Sequence, residues 1–271
     1  MSETQTIPSP EATVVHAPGT FCWWEIATTD LEAARAFYTT LFGWTSKDNL
    51  MDEGQVYVLF HHEGNQVAGL YQLAPEQLRQ GTPPQITSYI ATETVDETVK
   101  SAEALGGKVL MGPLDVYDHG RMAFLEDPTG APFGVWEARG NPGSESIDAP
   151  GSVCWNELTT KDTQVAGAFY ARLFDYLTVE KEMGEMVYTT FQHGEKSQAG
   201  MMEMCEAWGE MPSHWMPYFR VTDCGEAGSQ AQALGATLKV PPTDIPNIGR
   251  FAVIQDPQGV VFSIIALEAV A

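Results

Sequence analysis

A tryptophan two residues ahead of a glutamate occurs twice in this 271-residue chain, as Trp23-Trp24-Glu25 and as Trp155-Asn156-Glu157. In a strand, residues i and i+2 share a face, so each indole would project beside its carboxylate. An indole buries a large flat area and stacks on rings or cations. A carboxylate in an apolar hollow has its pKa raised by desolvation, which suits it to proton transfer or to pairing with a ligand cation. Tyr89 and Tyr218, also equivalent in the two halves, would add a phenolic hydroxyl to each hollow. Glu25 and Glu157 are therefore candidate acid–base residues, and Trp23, Trp155, Tyr89 and Tyr218 candidate ligand contacts. The competing reading makes the tryptophans core and ties each glutamate to a backbone group.

These pairs belong to a larger duplication. Residues 18–44 and 150–176 match without a gap at 13 of 27 positions, at an offset of 132. Residues 120–133 and 249–262 match at 7 of 14, at an offset of 129. A period near 130 residues is one domain length, not a solenoid repeat. The expected organisation is a flexible arm over 1–17, a first domain over 18–139, a linker over 140–149 and a second domain over 150–271. The copies differ at Trp24/Asn156, Trp44/Tyr176 and Trp136/Ile265, and the second is the richer in methionine.

The elements that must position the candidates follow from periodicity. Thr20–Thr28 alternates as a strand. Asp30 is a good N-cap. Leu31, Ala34, Phe37, Tyr38, Leu41 and Phe42 fall on one helical face, and Gly43 ends the helix. Strands are expected over Trp44–Leu50, Gln55–His62 and Gln66–Leu73, followed by a polar connector over Pro75–Pro84. The order then restarts: strand Ile86–Thr92, helix Val95–Leu105, and strands Lys108–Met111, Arg121–Glu126 and Pro132–Ala138. The second copy repeats the plan, with helices over Asp162–Phe174 and Gly225–Leu234. The fold class is α+β: four βαβββ modules in mixed, largely antiparallel sheets.

Composition narrows the partners. There are 36 acidic and 14 basic residues, a net charge of −22. Such a surface repels nucleic-acid phosphates and anionic membranes; it favours solubility or cationic ligands. No apolar run is long enough to span a bilayer, and the first 17 residues lack the basic start and apolar stretch of a signal peptide. Cys22, Cys154, Cys205 and Cys224 include no CxxC pair. Buried reduced thiols at these positions suit a cytoplasmic protein.

The run Asp-x-x-x-Ala-x-x-Phe-Tyr-x-x-Leu-Phe-Gly-Trp after a strand, with the later ALGG and DPxG turns, resembles the vicinal oxygen chelate superfamily. That group includes glyoxalase I, extradiol dioxygenases, and fosfomycin- and bleomycin-resistance proteins. The likeness to tandem glyoxalase-like members covers nearly residues 18 to 268. It implies paired modules curling into cupped sheets, each with a small-molecule pocket. It also implies metal ligands at positions that here hold Trp23, Thr87 and Gly134 in the first repeat, and Trp155, Met216 and Ser263 in the second. None of these is a strong metal donor. A fourth ligand would lie near Gly69–Leu73 or Gly200–Met204, where Glu203 is a candidate. The expectation is a small-molecule-binding glyoxalase/bleomycin-resistance-like protein, monomer or homodimer, without the usual metal, for an aromatic or cationic ligand. The alternative is a glyoxalase-like lyase or isomerase, or a dioxygenase-like oxidoreductase. That enzyme would use Glu acid–base chemistry or a rebuilt site for Fe, Mn, Ni or Zn. His61, His62, His119, His193 and His214 are the candidate ligands for a rebuilt site, although His61 and His62 fall at a hairpin tip where solvated residues are usual.

Overall fold

The computed structural model describes residues 14–184 and 186–268. The first repeat runs β1 (Phe21–Thr28), α1 (Leu31–Phe42), β2 (Thr45–Leu50), β3 (Val56–His62), β4 (Asn65–Gln72) and α2 (Pro75–Arg79). It continues with β5 (Gln85–Ala91), α3 (Val95–Ala104), β6 (Lys108–Val116), β7 (Gly120–Glu126) and β8 (Pro132–Ala138). The second repeat comprises β9 (Val153–Thr160), α4 (Thr163–Phe174), β10 (Leu177–Met183), β11 (Met186–His193) and β12 (Lys196–Glu203). Its later half is β13 (His214–Arg220), α5 (Cys224–Ala233), β14 (Thr237–Ile245), β15 (Gly249–Gln255) and β16 (Val261–Leu267).

Local signals account for the helix ends. The Asp30 carboxylate accepts from the Ala33 amide, and Gly43 closes α1 at a φ of 69°. In α4 the Asp162 carboxylate accepts from Gln164 and Val165, but Asp175 takes the left-handed C-cap position at a φ of 56°. A short polar side chain tolerates that conformation better than most.

Each repeat forms one eight-stranded sheet, ordered β2-β3-β4-β1-β5-β8-β7-β6 in the first and β10-β11-β12-β9-β13-β16-β15-β14 in the second. The centre of each sheet is an antiparallel pair, β1 with β5 and β9 with β13. That pair is flanked by parallel neighbours, β4 beside β1 and β8 beside β5. Each half-sheet is one βαβββ module, so the two modules of a sheet are related by an approximate twofold axis. The α+β class and the tandem arrangement hold.

The two faces of β1 do different work. Trp24 and Ile26 join a large core that draws residues from both repeats. Trp23 belongs to a smaller cluster with Cys22, Tyr89, Ala91 and Met122 on the opposite face. At the shared core, the Trp24 indole donates to Asn156 Oδ1 at 2.9 Å and Ser88 Oγ donates to the same oxygen at 2.9 Å. Because Trp24 and Asn156 meet there, Trp23/Glu25 and Trp155/Glu157 point away from each other, and the two hollows open on opposite sides.

Two segments depart from expectation. Residues 75–79 of the connector are helical, and β6 runs on to Val116. Residues 140–149, between the two repeats, are bonded to the first sheet. Ser144 N donates to Cys22 O at 2.7 Å, Glu145 N to Gln66 O at 2.8 Å, and the Gln66 side chain to Asn141 Oδ1 at 3.0 Å. These bonds lash the segment to the first sheet. Residues 1–13 of the expected arm lie outside the described residues, while His16 Nε2 is 2.7 Å from Ser144 O, a docked contact. No helix among the described residues is long and apolar enough to cross a membrane.

Candidate functional site

Side chains from all eight strands of the first sheet line a single cavity of about 980 Å³. The sheet is therefore curved around it. Trp23 and Glu25 form the floor on β1, flanked by Tyr57, Tyr71 and Tyr89, while Met122, Phe124 and Trp136 form an apolar wall. Asn141 and Gly143, from the segment after β8, complete the rim.

The floor is a hydrogen-bonded chain. The Trp23 indole donates to Tyr57 Oη at 3.1 Å, and the Tyr57 hydroxyl donates to Glu25 Oε1 at 2.9 Å. The Tyr89 hydroxyl donates to Glu25 Oε2 at 3.0 Å. Burial raises the Glu25 pKa, and the two tyrosine hydrogen bonds offset this only in part. The same burial, with the Glu25 charge nearby, holds the Tyr57 and Tyr89 hydroxyls protonated. Trp23, Glu25 and Tyr89 thus come together as the sequence suggested.

In the second sheet, Glu157 has its pKa pushed up to about 7 by burial, against hydrogen bonds from Tyr188 and Trp155. Both donors converge on one oxygen: the Tyr188 hydroxyl reaches Oε2 at 2.6 Å and the Trp155 indole at 3.1 Å. Oε1 is buried without a partner. Tyr218 pairs in register with Trp155, but the hydroxyl on Glu157 is that of Tyr188. Tyr218 lies near enough to feel the Glu157 charge, and Tyr188 is the counterpart of Tyr57.

Tyr57 and Tyr188 are the residues bonded to the two glutamates that the sequence reading passed over. Their signal was present: Val-Tyr-x-x-Phe-x-His occurs at Val56–His62 and again at Val187–His193. Alternation along the strand puts the tyrosine of that block on the hollow's side.

Strand register locates the fourth position that the relatives' metal site would need. Gly69 pairs with Glu25 on β1 as Gly134 pairs with Tyr89 on β5. A Cβ on Gly69 would lie 2.0 Å from Tyr57 Oη, and one on Gly134 would lie 2.3 Å from the Tyr89 ring. Tyrosines fill both volumes. The second sheet repeats this at Gly200, where a Cβ would lie 1.9 Å from Tyr188 Oη. Glu203 has the opposite parity from Gly200 and is exposed, so it does not face the hollow. The set Trp23, Gly69, Thr87 and Gly134 offers one hydroxyl, and Trp155, Gly200, Met216 and Ser263 offer one hydroxyl and a thioether. A divalent cation requires several converging nitrogen, oxygen or thiolate donors; these residues do not fit one. Among the described residues no group of three or more His, Cys, Asp or Glu is placed to hold a metal ion.

Of the candidate histidines, His119 lines the cavity from an exposed position; His62 and His193 lie elsewhere. The His62 ring packs over Gly151 and the His193 ring over Gly19, each at the start of the other repeat. Arg121, at the start of β7, is held in ion pairs with Asp96 at 2.8 Å and Asp115 at 3.1 Å.

A family model, the Glyoxalase/Bleomycin resistance protein/Dioxygenase superfamily, matches residues 20–135 and 153–264. CFP32 of Mycobacterium tuberculosis, named provisionally as a glyoxylase, is 38% identical over 250 residues, covering 91% of this chain and 94% of the relative. The anthracycline biosynthesis protein DnrV of Streptomyces peucetius is 33% identical over 262 residues, covering 93% of this chain and 94% of that protein. Among solved structures, the Mn(II)-bound glyoxalase from Novosphingobium aromaticivorans superposes with a TM-score of 0.64 at 14% identity, covering 93% of this chain and 83% of that one. The 2,3-dioxygenase LapB from Pseudomonas sp. KL28 gives a TM-score of 0.64 at 14% identity, covering 92% and 93%. These structural likenesses establish a shared fold.

Proposed function

Since the chain belongs to the glyoxalase/bleomycin resistance protein/dioxygenase superfamily, we propose that it binds a flat small molecule in the first cup and does so without a divalent metal. One observation carries this reading: a cavity of about 980 Å³ with a carboxylate at its floor and aromatic rings around it. Its size suits a drug-sized ligand. Tyrosine rings and hydroxyls occupy the places where a metal site would put its ligands, which supports metal independence. The relative named for anthracycline biosynthesis supports a polycyclic aromatic ligand. The thiols fit a cytoplasmic setting.

Trp23 and Trp136 line the cavity, so ligand entry should quench tryptophan fluorescence and raise the melting temperature. A panel of planar compounds screened with and without EDTA tests the proposal. Binding that persists in chelator supports it. A stoichiometric co-purified metal that binding requires overturns it, as does a panel without a single hit.

A second reading is supported by Glu25 itself. A carboxylate whose pKa burial has raised is suited to moving a proton on a bound substrate. Catalysis of this kind predicts that Glu25→Gln abolishes turnover while ligand affinity survives. An unchanged rate in that variant removes the acid–base reading and leaves the binder.

A further inference from the structure

We propose that the ligand of the first cup carries a positive charge, an amine or amidinium on an aromatic framework, and that this charge seats against Glu25. The inference rests on the reading of that cup as the ligand pocket and specifies what enters it.

The hydrogen-bond inventory of the floor is one-sided. Tyr57 and Tyr89 each spend their single hydroxyl proton on Glu25, and the free lone pair of Tyr57 takes the Trp23 indole. A carboxylate accepts about four hydrogen bonds, and the tyrosines supply two of them. With Glu25 ionised, the floor therefore presents acceptors to the cavity and no free donor among these four residues. A ligand that satisfies it must bring N–H or O–H donors.

The charges point the same way. No basic group contributes to the Glu25 environment; its pKa is set by burial and by the Tyr57 and Tyr89 hydroxyls. From β4, Tyr71 also faces it, and feels its charge. The remaining charged lining groups are Lys47, Asp52, Asp115 and His119, all at exposed positions. Of these, Asp115 is engaged by Arg121 and Arg139. Seven aromatic rings border the cavity, those of Trp23, Tyr57, Tyr71, Tyr89, Tyr117, Phe124 and Trp136. Their negative faces attract a cation and disfavour an anion. The net charge of −22 draws cations toward the mouth and repels anions.

The arrangement also couples binding to a proton. Burial favours the protonated form of Glu25, whereas a cation against it favours the carboxylate. Seating the cation should therefore lower the Glu25 pKa and release a proton wherever Glu25 holds one.

Matched acridine dyes test the proposal. Proflavine is cationic near neutral pH, and acridone is a neutral tricycle of similar shape. Proflavine should bind the wild-type protein at least about tenfold more tightly than acridone, and rising salt should weaken the preference. Glu25→Gln should remove most of that ratio and leave acridone affinity within about threefold. Calorimetry on wild-type protein, in two buffers of different ionisation enthalpy, provides a readout independent of the variant. Proton release that grows as the pH is lowered supports the inference, and its absence at every pH counts against it. If acridone binds as tightly as proflavine, the charge requirement falls and the pocket stands. If neither dye quenches tryptophan fluorescence, the pocket reading falls as well.

Discussion

Glu25 and Glu157 occupy equivalent positions, yet their partners give them different chemistry. Glu25 has one tyrosine on each oxygen and faces an open cavity; Glu157 has both donors on Oε2 and is only 4% exposed. For Glu157 the linkage has a definite sign. The folded-state pKa of about 7 lies above the ordinary value of 4.5, so the folded chain holds a proton that the unfolded chain has lost. Its contribution is complete below pH 4.5 and fades as pH rises towards 7, by roughly 3 kcal/mol in all. Urea unfolding at pH 5 and pH 8 should show that Glu157→Gln loses less stability than wild type over this interval. A wild-type slope equal to that of the variant would contradict the assignment. Gly69 poses a steric test. Its missing Cβ leaves the space that Tyr57 Oη fills, so Gly69→Ala should push Tyr57 off Glu25 and cost about 1–3 kcal/mol. Adding Tyr57→Phe, which removes the clashing oxygen, should recover part of that loss in the same denaturation assay. Such contacts were only half legible in the sequence. The Trp-x-Glu pairs stand two apart on one strand, so alternation alone places them together. Tyr57 comes from a different strand, and only the strand register brings its hydroxyl over Gly69.

At the scale of elements, the first cup has a crossbar that joins its two modules. Tyr117, in the turn after β6, donates to Asp52 Oδ2 at 2.9 Å and accepts from the Asp52 amide at 3.2 Å. Asp52 lies between β2 and β3. The bond therefore ties the β2–β3 turn to the β6–β7 turn, and both residues line the cavity. An exposed hydrogen bond contributes little to global stability, but this one spans two turns that border the cavity and is placed to impede a ligand's passage. Tyr117→Phe should leave the melting temperature within a degree or two and speed ligand dissociation severalfold in stopped-flow fluorescence. Equal dissociation rates would show that ligand passes elsewhere. The turns themselves were readable from Gly and Asp placement, whereas their meeting was not, because residues 52 and 117 approach only when the sheet curls.

At the scale of the molecule, the repeats are joined by one core. Each contributes to a common core, and equivalent residues lock across it. Trp44 Nε1 donates to Gly151 O at 2.7 Å, and Tyr176, its counterpart, donates to Gly19 O at 2.5 Å. Tyr38 on α1 donates to Asp256 at 2.9 Å, joining the Phe-Tyr motif of one repeat to the DPxG turn of the other. Calorimetry should accordingly show a single transition with matching van't Hoff and calorimetric enthalpies; two resolved transitions would refute a common core. Asn156→Ala deprives the Trp24 indole and the Ser88 hydroxyl of their shared acceptor. It should destabilise the whole molecule by about 1–3 kcal/mol without splitting the transition.

The duplication, the helix limits, the turns and the strand faces were determined by the sequence itself, because each depends on residues within a few positions of one another. Caps, alternation and helical spacing are local physics. Tertiary structure alone decided which cup encloses the large cavity, which rings fill the space beside Gly69 and Gly134, and why Trp24 has Asn156 for a counterpart. In the sequence that last difference is only a mismatch between copies; in the fold it is a donor meeting its acceptor across the core. Such pairs join residues 132 or 218 apart, and no periodicity in a chain encodes a contact that exists only once two sheets have closed on each other.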